Sequence, residues 1–422
     1  MHQRATLPNG VRILTSRLPH VRSVSMVFFF GVGSRYEPVE LNGASHLIEH
    51  VLFKGSEHYP TAQVISETIE GVGGVLDAGT DKEATVYSAK VGSGHFELAL
   101  DLLTDMVRHP LMDPIELDKE RRVIIEEINM YRDSPQDWVG VLGEETFWPG
   151  LPLGREVAGT RESVSSISRE ALQEYRRAHY VPGNLIVSIA GNIEHERVVE
   201  ALAARLGDWA GPAAPVWTPC PPPNEAARVR LENRRTEQTN IVLYTLGLPH
   251  KSPHYYAQVL LNAILGDGMS SRLFQEVRER RGLAYDVSAS PENYYDCGAF
   301  IVYAGVEPRK TQSAISAILE QLDHIRREPV SARELTRAKE YTKGRMALRL
   351  EDTSSVAAWL GGQEAYLGEV RPLDDILSDI DRVTVDDIHR LASELFTDEW
   401  LRLAMIGPHR EPAPYERLLH LR

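Results

Sequence analysis

Cysteine is almost absent from this chain: Cys220 and Cys297 are the only two among its 422 residues. That excludes a disulfide framework and a structural zinc module built on paired cysteines, and it fits a reducing compartment. A run of basic residues is missing too. Acidic side chains outnumber basic ones by 60 to 46, for a formal charge of −14. Such a balance argues against nucleic acid or an anionic membrane as partner and accommodates a basic substrate more easily. Long apolar runs are also lacking. The longest, "VSMVFFFGV" (24–32), is too short to span a bilayer, and its β-branched and aromatic content reads as a buried strand. The first ten residues, "MHQRATLPNG", are polar and turn at Asn9-Gly10, so neither a signal peptide nor a transit peptide is read there. The expected compartment is the cytoplasm.

What the chain does have is length and internal repetition. Its 422 residues exceed one ordinary domain. The proline-rich stretch "GPAAPVWTPCPPPNEA" (211–226) reads as an extended linker between a domain at 1–210 and a second at 227–422. The halves share a layout, and "ELDKERRVIIEEI" (116–128) can be laid over "ELTRAKEYTKGRM" (334–346). Hydrophobic periodicity predicts strands near 11–16, 23–32, 75–79 and 84–91, then near 238–247, 284–290, 298–304 and 401–408. Helices are expected near 44–54, 61–71, 95–108 and 114–132, then near 253–265, 270–281, 308–327 and 331–350, with a helix, strand and helix from 168 to 206. Mixed strands and amphipathic helices in separate runs give an α+β class: two related α/β sandwiches, each a mostly antiparallel sheet flanked by helices.

Chemistry enters at "GASHLIEHVLFKGS" (43–56), where His46 and His50 stand four apart with Glu49 between them. On a helix, positions four apart share a face one turn apart, so both imidazoles can reach one ion. Two neutral imidazoles leave a zinc ion with net charge and open positions, which acidifies water near neutral pH, and Glu49 is placed to take the proton and hand it to a leaving amine. A third ligand is available from "DPIELDKERRVIIEEINMYRD" (113–133), which offers Glu120, Glu126 and Glu127. Glu120 and Glu127 are seven apart and nearly on one face, whereas Glu126 points about 100° away. If Glu127 holds the metal, Glu120 lies two turns earlier, where it can orient a ligand. Without the histidines, these acids would read as a solvated face paired with Lys119, Arg121 and Arg122.

Several segments in order, "LPNGVRILTS", "GVGSRYE", "HLIEHVLFKGS", "LDAGTDKEATVYSAKV", "ERRVIIEEI", "SSRLFQEVRERRGLAY" and "AMIGP", resemble the pitrilysin and insulinase group of inverted-zinc-motif metallopeptidases. The resemblance is to the short-chain branch that includes mitochondrial processing peptidase and its bacterial relatives. It implies one Zn2+ per chain held by His46, His50 and Glu127, with Glu49 as catalytic base and Glu120 assisting the metal site. It also implies that Arg278 and Tyr285 hold substrate main chain, and that Leu76, Asp77, Ala78 and Gly79 form an edge strand on which a peptide is laid. Glu83 matches a frequent acidic position, though a surface strand residue accounts for it equally well. The second half has only the amphipathic "YYAQVLLNAILG" (255–266) where the motif would fall, so one active site per chain is expected. Relatives of this length resemble half of a clam-like chamber, which implies peptide or unfolded substrates and a homodimer. A heterodimer with a zinc-less paralogue stays open, as does a binding subunit without catalysis.

Overall fold

A computed structural model describes residues 2–221 and 227–421. The first half runs β1 (His2–Thr6), β2 (Arg12–Arg17), β3 (Ser23–Phe30), α1 (Ala44–Leu52), α2 (Ala62–Glu70), β4 (Val75–Thr80), β5 (Thr85–Gly92), α3 (Phe96–Arg108), α4 (Pro114–Asp133), α5 (Pro135–Phe147), α6 (Arg161–Ser166), α7 (Arg169–His179), β6 (Leu185–Gly191) and α8 (His195–Leu206). The second half runs β7 (Val229–Asn233), β8 (Thr239–Leu246), α9 (Tyr255–Leu265), β9 (Ala284–Asn293), β10 (Gly298–Val306), α10 (Thr311–Arg327), α11 (Ala332–Arg349), α12 (Thr353–Leu367), α13 (Leu373–Arg382), α14 (Val385–Leu395) and β11 (Arg402–Gly407). Among the described residues no helix is long and apolar enough to cross a membrane.

The strands form two sheets. One has six strands in the order β1-β2-β6-β3-β5-β4, and the other five in the order β7-β11-β8-β10-β9. Each carries one parallel pair, β2 with β6 and β7 with β11, and is otherwise antiparallel. The apolar run that opens the first half becomes β3, and its alternating side chains enter two different cores. Val24, Met26, Phe28 and Phe30 pack with α1 and α3, while Val27 and Phe29 pack with Val356, Ala357 and Leu360 of α12. A strand buried on both faces needs no polar alternation, which is why the sequence there is continuously apolar.

The compact units differ from the contiguous division expected at 1–210 and 227–422. One unit comprises 1–129, 156–218 and 348–370; the other comprises 130–155, 219–347 and 371–422. Each half therefore lends one helix to the other's sheet: α5 buries Val139, Leu142 and Phe147 with Val242, Tyr244 and Ile406, and α12 covers β3, β6 and β2. Neither helix was expected from the sequence, since glycines interrupt the apolar spacing of both. The proline-rich stretch is irregular over 211–221, and 222–226 lie outside the described residues. The polar strand β1 was likewise not expected; it is an edge strand that pairs among the described residues with β2 alone.

Those glycines explain the close packing. The overlay that sets Glu116 on Glu334 also sets Gly143 of α5 on Gly361 of α12. A Cβ on Gly361 would fall 2.1 Å from Phe29 Cε2, and one on Gly143 would fall 2.4 Å from Tyr244 Cε2. Gly361→Ala is accordingly expected to destabilise by roughly 1–3 kcal/mol, as overpacking does. Gly344→Ala on α11, where an added Cβ would meet no described atom within 4 Å beyond its own helix and chain neighbours, should stabilise by about 1 kcal/mol through helix propensity. Urea unfolding of both variants checks the contrast, and shifts of the same sign would refute it.

Candidate metal centre

The helix α1 is anchored before it begins. Gly43 precedes it at φ +96°, a left-handed conformation that glycine adopts without strain. The carboxylate of Glu37 accepts hydrogen bonds from Gly43 N at 2.8 Å, Ser45 N at 2.7 Å and Asn42 Nδ2 at 3.2 Å. It thereby supplies partners that the first turn of a helix otherwise lacks. Burial raises the Glu37 pKa, and these donors offset that only in part. On the inner face, Leu47, Ile48, Val51 and Leu52 are buried in the core, which turns His46, Glu49 and His50 to the other side.

The long helix α4 brings Glu127 to them. Glu127 Oε2 lies 3.8 Å from His46 Nε2 and 3.7 Å from His50 Nε2, and the three ligand atoms lie within 4.8 Å of one another. Ligand atoms on a tetrahedral zinc with bonds of 2.0–2.1 Å stand roughly 3.3 Å apart, so a small contraction lets this set hold the ion. It is the one group of three or more potential ligands found together among the described residues. Burial, followed by the neighbouring His50, pushes the His46 pKa down to about 4, so its imidazole is neutral and ready to ligate. His46 Nδ1 is buried without a hydrogen-bond partner among the described residues.

The two other acids take different positions. Glu120 Oε2 sits 3.0 Å from His50 Nδ1 and its Oε1 sits 2.9 Å from Lys54 Nζ. Burial pushes this carboxyl up, yet the contacts with His50 and Lys54 prevail and hold it below its ordinary value. With Glu120 on Nδ1, the Nε2 of His50 is left for a metal. Glu49, on the same side of α1, accepts a hydrogen bond from Thr80 Oγ1 at 2.6 Å. Burial raises its pKa against the effect of that bond, which suits a group that must accept a proton near neutrality.

Thr80 ends β4, and β4 is an outer strand of its sheet, paired among the described residues with β5 alone. Leu76 and Ala78 pack inward against the core, while Asp77 and Gly79 are exposed. Asp77 Oδ1 accepts from Ala78 N at 2.9 Å. Glu83, in contrast, is not the surface strand residue that the sequence allowed. It is buried and ion-paired with Arg35, itself fully buried, whose Nε donates to Thr218 O at 2.9 Å and whose guanidinium lies 4.4 Å from the Trp217 ring centroid.

Arg278 and Tyr285 belong to the other unit and are brought together there, the guanidinium 5.5 Å from the Tyr285 ring centroid and 4.8 Å from that of Phe274. Arg278 lies in a π-helical segment (Phe274–Arg280) where an ordinary helix was expected, a distortion that concentrates at functional positions. Tyr285 is 76% exposed. Residues 12–161 match the family model described as "Insulinase (Peptidase family M16)", and residues 166–341 match "Peptidase M16 inactive domain". The chain belongs to the M16 peptidase family.

Similar proteins include an uncharacterised zinc protease of Streptomyces coelicolor, 38% identical over 97% of this chain and 90% of its own length. Another is the uncharacterised zinc protease YmxG of Bacillus subtilis, 37% identical over 97% and 98%. Among solved structures, a protease from Helicobacter pylori superposes with a TM-score of 0.90 at 22% identity, covering 97% of this chain and 99% of that one. A chain of Complex III2 from Candida albicans gives 0.86 at 20% identity, covering 99% of each. One fold thus serves a protease and a Complex III2 chain, so side chains and not architecture must decide catalysis. The M16 description "inactive domain" agrees with α9, which carries Gln258 and Asn262 four apart and no histidine pair. The two backing residues Glu37 and Thr80 were missed in the sequence, although both lie in segments that carry the resemblance.

Proposed function

We propose that this chain is a zinc-dependent endopeptidase acting on peptides or unfolded segments in the cytoplasm. The observation that carries this reading is the convergence of His46, His50 and Glu127 beside a half-buried Glu49 that is hydrogen-bonded to an outer strand. Zinc, one ion per chain, would be held by those three residues and would supply Lewis acidity to polarise a scissile carbonyl and acidify water. Glu49 takes the proton from the attacking water and returns it to the leaving amine. Glu120 orients His50, the main chain of 76–79 pairs with the peptide as an added strand, and Arg278 and Tyr285 are assigned to the substrate main chain. A homodimer enclosing a chamber is the economical assembly for a chain with one such site, and a zinc-less paralogue as partner is the alternative. The names of the Streptomyces and Bacillus relatives support the zinc protease class.

The test is hydrolysis of a quenched fluorescent peptide library by the purified chain, before and after chelation, with bound zinc quantified. Cleavage should fall to background on chelation and return with one equivalent of zinc. Full zinc occupancy without cleavage would instead favour a binding subunit, a role the shared fold with a Complex III2 chain permits.

A further inference from the structure

Lys54 has no place in the chemistry assigned above. The face of α1 that presents His46 and His50 continues at the same spacing to Lys54, just beyond the helix end, where its backbone N donates to Val51 O at 3.0 Å. Its ammonium holds Glu120 Oε1 at 2.9 Å while the other oxygen of that carboxylate faces His50 Nδ1 at 3.0 Å. The Glu120 side chain is only 6% exposed. One buried carboxylate thus bridges two successive positions of the metal helix.

We propose that Lys54 is a positioning residue for the metal centre. The terminal torsion of a glutamate is broad, so a carboxylate held at one oxygen can turn. Held at both, Glu120 keeps Oε2 on His50 Nδ1 and so keeps the Nε2 of that ring toward Glu127. An exposed lysine–carboxylate pair contributes little; this one differs because its acid is buried and its second oxygen is committed to a ligand. The inference rests on reading His46, His50 and Glu127 as zinc ligands.

Charge alone gives the opposite sign, which makes the idea decidable. An ammonium near a cation site repels the cation, so a purely electrostatic role means that Lys54→Met tightens zinc binding. A positioning role means that it loosens binding, by roughly 10–100-fold, as removal of a group that orients a ligand does. The experiment is competition for zinc between a chromophoric chelator and the full-length protein, for wild type, Lys54→Met, Lys54→Gln, Lys54→Arg and His46→Ala, together with the melting temperature of each metal-free protein. The expected result is weaker zinc binding in the Met and Gln variants, near-wild-type binding with arginine, and metal-free melting temperatures that do not change. Affinity equal to or tighter than wild type in the Met and Gln variants overturns the proposal. So does a loss of affinity that tracks a fall in metal-free melting temperature. Zinc binding that survives His46→Ala overturns the ligand assignment instead, so the two failures are distinguishable.

Discussion

Glu49→Gln is expected to lower kcat for peptide hydrolysis by roughly 10²–10⁴-fold, the range for removal of a general acid–base group, while zinc stays bound. Retention of zinc follows from geometry. The atoms proposed to hold zinc belong to His46, His50 and Glu127, whereas Glu49 Oε2 is engaged by the Thr80 hydroxyl. Glutamine has the same length and keeps a carbonyl oxygen to accept from Thr80, so the local structure has no reason to change. What glutamine cannot do is accept a proton near neutral pH. Activity and bound zinc should therefore separate: hydrolysis close to background, zinc stoichiometry as in wild type, KM little altered. His50→Ala, by contrast, should lose both together, since it removes a proposed ligand and one of the two contacts that hold Glu120. Glu49→Gln that still hydrolyses peptides within a few-fold of wild type would remove Glu49 from the role of base.

The spacing of His46, Glu49 and His50 made the metal helix legible, because a period of 3.6 turns a four-residue gap into a shared face. The same arithmetic left Glu120, Glu126 and Glu127 open, and the resemblance chose Glu127, which the structure then sets 3.7 Å from His50 Nε2. Most strands and helices fell near their expected bounds, since β3, α3 and α4 carry strong periodic patterns. The exchange of α5 and α12 was not legible. Local pattern says that a helix has an apolar face, and nothing in it says which sheet will receive that face. Glycines at 143 and 361 hid the helices further, although they are what lets each lie against an aromatic ring. Contacts such as Thr80 with Glu49 and Lys54 with Glu120 join residues 31 apart and across two helices, and a linear reading cannot pair them.

The other large effect expected is on stability: Glu83→Ala should destabilise the folded chain by roughly 3–5 kcal/mol, the cost of breaking a buried ion pair at one end. Arg35 is fully buried, and its guanidinium stacks on Trp217 and donates to Thr218 O as well as to Glu83. Removing Glu83 takes a carboxylate from a guanidinium that is fully buried and keeps its proton. The pair also secures the turn between β4 and β5. Ser34 N donates to Asp81 O and Arg35 N to Lys82 O, and a Cβ on Gly33 would strike Asp81 O at 2.0 Å. The turn follows Thr80 directly, so its loosening should also release the contact with Glu49 and lower kcat in the protein that remains folded. Arg35→Met combined with Glu83→Leu replaces the charges with apolar groups of similar reach and should recover most of the stability. Urea denaturation of Arg35→Met, Glu83→Leu and the double variant measures the coupling. Additive losses would mean that the charges act independently, and the pair would then not be what holds the outer strand beside the metal helix.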